Sequence, residues 1–167
     1  MNTNWPTKKL LITGIPGTGK TNLGNYLAAE CGYIHIDMES GDYISAIMTN
    51  PTSFIENLVN KHNNIVTTWG FVPSDEQIQI VNLFRNYDFR IIWFDGDRET
   101  ARSKFIERDQ KNGPEYLKSS LETLDLQMSR IENSEVVNRI SPIIVNTFKT
   151  DHTFKGLDQI LNEIEDD

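Results

Sequence analysis

The chain has 167 residues, with 16 Lys and Arg against 24 Asp and Glu and a formal net charge of −8. With 38% hydrophobic and 10% aromatic residues it is too apolar to stay disordered, and its length fits one domain that buries about 70% of the surface of the unfolded chain. The acidity argues against nucleic acid or an anionic membrane as partner, so an anionic ligand needs a local device that overcomes the global field.

No apolar run approaches the ~20 residues of a membrane span. Met1 to Leu10 shows no apolar stretch of the kind a secretory signal carries. The single cysteine, Cys31, excludes an internal disulfide framework, and a cytoplasmic chain is expected. In chain order, Lys9 to Thr13 reads as a buried strand, followed by a glycine-rich turn and a helix over about Gly19 to Cys31. Tyr33 to Ile36 is a second strand. Asp42 to about His62 is helical in two pieces, broken at Asn50-Pro51 because proline disfavours helix in the residue before it. Ile65 to Trp69 is a third strand, rich in β-branched residues.

Ser74 to Arg85 reads as a helix with a capping-box start, Ser74 with Gln77. Arg90 to Phe94 is a fourth strand, and Arg98 to about Gln110 a helix capped by Asp97. Gly113-Pro114 breaks it. A helix from about Glu115 to Val137 carries Leu117, Leu121, Leu124, Met128 and Ile131 on one stripe. That stripe is too short for a convincing dimer zipper and reads first as a core seam, leaving monomer or homodimer open. Ile143 to Asn146 is a fifth strand and Lys155 to Ile164 a closing helix. Strands alternating with helices imply a doubly wound, three-layer α/β fold with a five-stranded parallel sheet.

Gly14-Ile15-Pro16-Gly17-Thr18-Gly19-Lys20-Thr21 matches G-x-x-x-x-G-K-[ST] in full. A chain of this composition would match by chance roughly once in 200 cases. An apolar strand leads in and a helix leads out, which is the setting the motif requires. Glycines let successive backbone N–H groups turn toward phosphate oxygens, and the helix N-terminus adds a positive dipole end. Lys20 would reach the β- and γ-phosphates of ATP, and the Thr21 hydroxyl would ligate Mg²⁺.

The whole chain resembles the compact small-molecule kinase branch of P-loop proteins, which contains shikimate, gluconate and adenylate kinases. Beyond the P-loop, the resemblance rests on Asp37-Met38-Glu39 after the second strand, where shikimate and gluconate kinases carry D-x-D. It rests also on Gly96-Asp97 opening a helix that ends in Arg108, and on Asn146-Thr147 after the last strand. It implies a P-loop nucleoside triphosphate hydrolase fold with strand order 2-3-1-4-5. It further implies an acceptor-binding segment over 41–64, a short lid over 108–116, and Asn146 near the adenine. Arg108 would close over the γ-phosphate. In such a sheet the site gathers at the carboxyl ends of the strands.

Asp37 is the first candidate to orient an acceptor hydroxyl, and by resemblance it could instead hold Mg²⁺ through water. Glu39 could hydrogen-bond the acceptor. Both acids could also merely cap the next helix. Many P-loop enzymes place a Mg²⁺-associated aspartate at the end of a strand beside the P-loop strand; here the third strand ends in Thr67-Thr68-Trp69, with no acid. Gly70 would let an acceptor approach the backbone, and Trp69 or Phe71 could offer a stacking wall or pack into the core. Lys104, Arg108 and Lys111 share a helix face, and Arg130 is a second candidate for gripping the acceptor. The segment 41–64 has no arginine, only Lys61 and His62, which speaks against a mononucleotide acceptor.

The expected activity is therefore Mg²⁺-dependent transfer of the γ-phosphoryl of ATP to a hydroxyl of a small metabolite. A nucleoside or nucleotide kinase, or a nucleotide-dependent binding switch or ATPase, are the alternatives. The three histidines lack metal-ligand spacing.

Overall fold

The computed structural model describes residues 6–167, so the first five residues of the stretch read above for a secretory signal lie outside it. Its strands are β1 (Lys9–Gly14), β2 (Ile34–Asp37), β3 (Ile65–Thr68), β4 (Arg90–Asp95) and β5 (Ile143–Asn146). All pair in parallel, in the order β2-β3-β1-β4-β5, as the resemblance implied. Alternation along β1 sends neighbouring residues into different layers. Leu10 and Ile12 pack with Leu23 and Leu27 of α1 (Lys20–Glu30), and with Ile160 and Ile164 of α8 (Leu157–Asp166). Leu11 faces the opposite layer, which is built on α2 (Tyr43–Thr49), α3 (Pro51–Lys61), α4 (Asp75–Leu83), α5 (Arg98–Asp109), α6 (Pro114–Asn133) and α7 (Val136–Ile140). A central strand buried on both faces reads as the near-continuous apolar run Leu10-Leu11-Ile12.

Local chemistry explains where the elements begin and stop. The Asn50 side chain accepts from Ser53 N at 3.0 Å, and Pro51 opens α3 at a position needing no N–H. Ser74 caps α4 by accepting from Gln77 N, but the Gln77 side chain accepts from Val72 N rather than Ser74 N, so only half of the capping box forms. Past Leu83 the chain tightens into a 3-10 turn, Phe84–Tyr87.

The helix expected over 115–137 is two helices. Glu135 takes a left-handed φ of 52°, which a continuous right-handed helix cannot contain, so α6 ends at Asn133 and α7 restarts at Val136. The closing helix starts at Leu157 rather than Lys155, because Lys155 N donates to Thr147 O at 2.9 Å and holds the chain beside β5. On the stripe of α6, Leu124 and Ile131 are buried while Leu117, Leu121 and Met128 are partly covered. Among the described residues no helix is long and apolar enough to cross a membrane.

Candidate active site

The loop between β1 and α1 is bent back on itself by its own hydrogen bonds. Ile15 N donates to Phe94 O at 2.9 Å, and the buried Thr18 hydroxyl donates to Ile15 O at 2.6 Å. Gly17 sits at φ 82°, and a Cβ there would run into the Ala101 carbonyl of α5. No L side chain fits that conformation and that contact together. Gly19 caps α1 without a side chain, leaving the first-turn N–H groups of the helix without a side-chain acceptor.

Lys20 is half-buried and folds along the loop, its Nζ donating to Ile15 O at 2.9 Å and Gly14 O at 3.4 Å. Burial pushes its pKa down to about 8; Glu39 opposes that shift, Arg108 adds to it and Asp37 opposes it. The ammonium is thus a charge held in a poorly solvated place, the state that an incoming phosphate would relieve.

A cavity of about 510 Å³ opens in front of the loop, lined by Lys20 and Thr21 together with Glu39, Gly70, Lys104, Arg108, Lys111 and Gln127. Another, more open hollow of about 700 Å³ lies at the amino ends of β1, β3 and β4, among Thr7, Asn64 and Arg90. Chemistry, not size, distinguishes the two: only the first adjoins the P-loop.

Of the two acids at the end of β2 and just past it, Glu39 lines the cavity and Asp37 does not. Asp37 is half-buried, and its Oδ1 accepts from Glu39 N at 3.1 Å. That turn directs residue 39 back toward the loop. Arg108 closes the far side. Its Nε donates to Asp109 Oδ1 at 2.6 Å, and its guanidinium lies 4.6 Å from the Phe105 ring centroid. The bond to Asp109 raises the Arg108 pKa, and Glu39 adds to the rise.

The structure brings Pro16, Gly17, Gly19, Lys20, Thr21, Glu39, Gly70 and Arg108 to the cavity wall, with Gly14, Ile15 and Thr18 buried in the base of the loop. It does not bring Trp69, Phe71, Arg130 or Asn146 to the cavity wall. Trp69 and Phe71 are 2% and 3% exposed and meet in the core with ring centroids 5.5 Å apart and planes tilted by 54°. Gly70 between them is the part of that turn that faces the cavity. Arg130 is exposed on α6, and Asn146 Oδ1 accepts from Phe148 N at 3.0 Å. The segment after β5 instead reaches the loop through Phe154, 3.3 Å from the position of a Cβ on Gly19. The acid at the end of β4, Asp95, is held by Arg98 at 2.5 Å.

Sequence reasoning passed over Gln127 and Phe154. For Gln127 a signal existed: it lies three residues after Leu124 and four before Ile131, both buried, so it borders the inward face of α6. Arg130 does not. Phe154 is brought in by a bridge pairing it with Phe148, which local sequence does not announce.

Among the described residues no group of three or more His, Cys, Asp or Glu could hold a metal. Of the two donors expected for a metal, the Thr21 hydroxyl lines the cavity and the Asp37 carboxylate does not, which leaves a single hard oxygen as direct donor. That suits Mg²⁺, which keeps most of its shell from water and phosphate.

The profile of the ATPase family associated with various cellular activities (AAA) matches residues 10–137, from β1 into α7. The chain belongs to that family. This AAA chain also shares its fold with solved kinases. A shikimate kinase from Acinetobacter baumannii, in complex with shikimate, aligns over 97% of this chain and 93% of its own, at 12% identity and a TM-score of 0.59. A shikimate kinase from Bacteroides thetaiotaomicron aligns over 95% and 94%, at 18% identity and a TM-score of 0.54. At such identities the likeness is one of fold, and the architecture is that of the P-loop small-molecule kinases. A comparison with curated proteins returns no significant sequence match.

Proposed function

We propose that the chain is an ATP-dependent phosphotransferase that moves the γ-phosphoryl group to a hydroxyl of a small metabolite. One observation carries this reading: an acidic side chain, Glu39, shares the cavity with the P-loop lysine and the lid arginine. A nucleotide-binding site needs only the cations. An acceptor hydroxyl needs the acid as well.

In this scheme the loop N–H groups and Lys20 hold the β- and γ-phosphates, and Arg108 offsets charge that develops on the transferring group. The acceptor oxygen attacks the γ-phosphorus as its proton passes to Glu39, and ADP leaves. Thr21, with Asp37 through water, would hold Mg²⁺, which neutralises phosphate charge when bound. The role first given to Asp37, orienting the hydroxyl, thus passes to Glu39, because of those two acids it is Glu39 that lines the cavity, while the other lining acid, Glu107, pairs with Lys104 at 3.3 Å. Helices α2 and α3 within 41–64 serve as the acceptor segment, and 108–116 as the lid. The lone Cys31 supports a cytoplasmic setting.

The AAA match favours a second reading, a nucleotide-dependent ATPase or switch. A nucleoside kinase has less support, since Trp69 and Phe71 are in the core and leave no base-stacking wall at Gly70. A panel of hydroxylated metabolites and nucleosides, scored for acceptor-dependent ADP formation, separates these readings. Acceptor-stimulated ADP with a phosphorylated product supports the kinase. ADP formation indifferent to every acceptor supports the ATPase.

A further inference from the structure

Two side chains that border Gly70, Glu39 and Gln127, each carry a hydrogen-bond acceptor without a donor among the described residues. Gln127 Nε2 donates to the Gly70 carbonyl at 3.0 Å. A carbonyl can only accept, so this bond fixes which end of the amide is which. Gln127 Oε1 is therefore an acceptor, and among the described residues no side chain or backbone N–H donates to it. The Glu39 carboxylate likewise has no hydrogen-bond or ion-pair partner among the described residues, although Oε1 lies 2.5 Å from the position of a Cβ on Gly70. Glu39, Gly70 and Gln127 all line the same cavity.

The charges around this pair are one-sided. The lining cations, Lys20, Lys104, Arg108 and Lys111, belong to the P-loop, α5 and the residues just after it. The acceptor helices α2 and α3 supply only Lys61, in the last turn of α3 and exposed. Lys20 and Arg108 are taken up by the nucleotide in this reading and Lys104 pairs with Glu107 at 3.3 Å, so a carboxylate or phosphate on the acceptor would meet Glu39 as a like charge.

We propose that Gln127, with Glu39, selects an uncharged acceptor that offers two neighbouring hydroxyl donors, a vicinal diol, and rejects acceptors with an anionic group beside the reacting hydroxyl. This inference rests on the kinase reading above. Glu39 takes the proton of the hydroxyl that is phosphorylated, and Gln127 Oε1 accepts from its neighbour. Gly70 lacks a side chain because one would push the carboxylate out of the pair.

The test compares matched neutral and anionic acceptors in ATP- and Mg²⁺-dependent ADP formation: erythritol with erythronate, glucitol with gluconate, and ribonucleosides with their monophosphates. The native chain should favour the neutral member of a pair by about tenfold or more in kcat/KM. Gln127→Arg supplies the missing cation and should bring that ratio toward unity or reverse it, mainly through the acceptor KM, with the ATP KM unchanged. A merely structural role for Gln127 would lower both members alike. Native preference for the anionic member, or a ratio unmoved in Gln127→Arg, overturns the inference while leaving a kinase. If no acceptor in any pair raises ADP formation, the kinase reading falls and takes this inference with it.

Discussion

Glu39 Oε1 occupies the space beside Gly70, 2.5 Å from where a Cβ on that glycine would sit. The turn after β2 thus reaches the turn after β3, and a methyl group on residue 70 would have to displace that carboxylate. The backbone at Gly70 is not left-handed, so alanine is tolerated by the chain itself. Gly70→Ala should lower acceptor kcat/KM by about tenfold or more, the cost of displacing a positioned acid. ATP affinity should stay within about twofold of native. Isothermal titration with ATP beside steady-state kinetics reads both quantities.

Asp37, at the end of β2, and Glu39, just past it, should separate by their defects. Glu39→Gln keeps the shape and removes the base, and turnover should fall by about 10²- to 10⁴-fold with nucleotide binding kept. Asp37→Asn should instead raise the Mg²⁺ concentration needed for half-maximal rate, with most activity recovered at saturating metal. A loss in Asp37→Asn that Mg²⁺ does not rescue would return the proton-accepting role to Asp37.

Lys20 carries a charge in a place that lowers its pKa to about 8. Lys20→Met keeps the aliphatic stem and removes the charge. Thermal unfolding without nucleotide should show a melting temperature at or above native, because no ammonium is then held away from water. Adding ATP should raise the native melting temperature and leave that of the variant unmoved. Phosphoryl transfer should drop by about 100-fold or more.

Asp109 is 4% exposed, and its bond to Arg108 holds its carboxyl below the ordinary value of 3.8. A carboxylate whose folded pKa is depressed binds fewer protons in the folded than in the unfolded chain. Its stabilisation is therefore fully present above pH 3.8 and is lost as pH falls through the lower, folded value. Asp109→Asn should lower the melting temperature at neutral pH and flatten its decline in acid below that point. Differential scanning calorimetry of both proteins across the acid range checks the sign.

Trp69 is fully packed in the core. Trp69→Ala should cost about 3–5 kcal/mol of stability, as large-to-small changes of a buried aromatic do. The gentler Trp69→Phe should cost less and leave acceptor kinetics near native. A selective rise in acceptor KM in Trp69→Phe would instead show that the ring touches the acceptor.

How much of this was legible beforehand follows from how local each signal is. The P-loop was complete in eight consecutive residues, because phosphate binding there uses backbone geometry that Gly14, Gly17 and Gly19 make available. The strands were readable because two-sided burial leaves uninterrupted apolar runs such as Leu10-Leu11-Ile12. The helix pair α2 and α3 was readable because proline acts on its immediate neighbour. What stayed hidden was long-range. Whether Asp37 or Glu39 faces the cavity depends on a turn closed by a side-chain bond, and Gln127 meets Gly70 across 57 residues of chain. The aromatic residues around Gly70 were legible as apolar but not as core, since composition does not say which side of a turn a ring takes. The break at Glu135 was missed because no proline or glycine marks it.

Ala101 O of α5 lies 2.2 Å from where a Cβ on Gly17 would sit, so α5 rests directly on the P-loop. The amino end of the helix is fixed by the Asp97 cap and by Thr100, whose hydroxyl meets His152 Nδ1 at 2.8 Å. Arg108 rides near the other end, on an arm of about 10 Å at 1.5 Å per residue. A tilt of about 10° would carry its guanidinium roughly 2 Å, the difference between an open and a closed hydrogen bond. Any such tilt would turn about the P-loop itself, so a movement of α5 would be referred to the loop on which the helix rests.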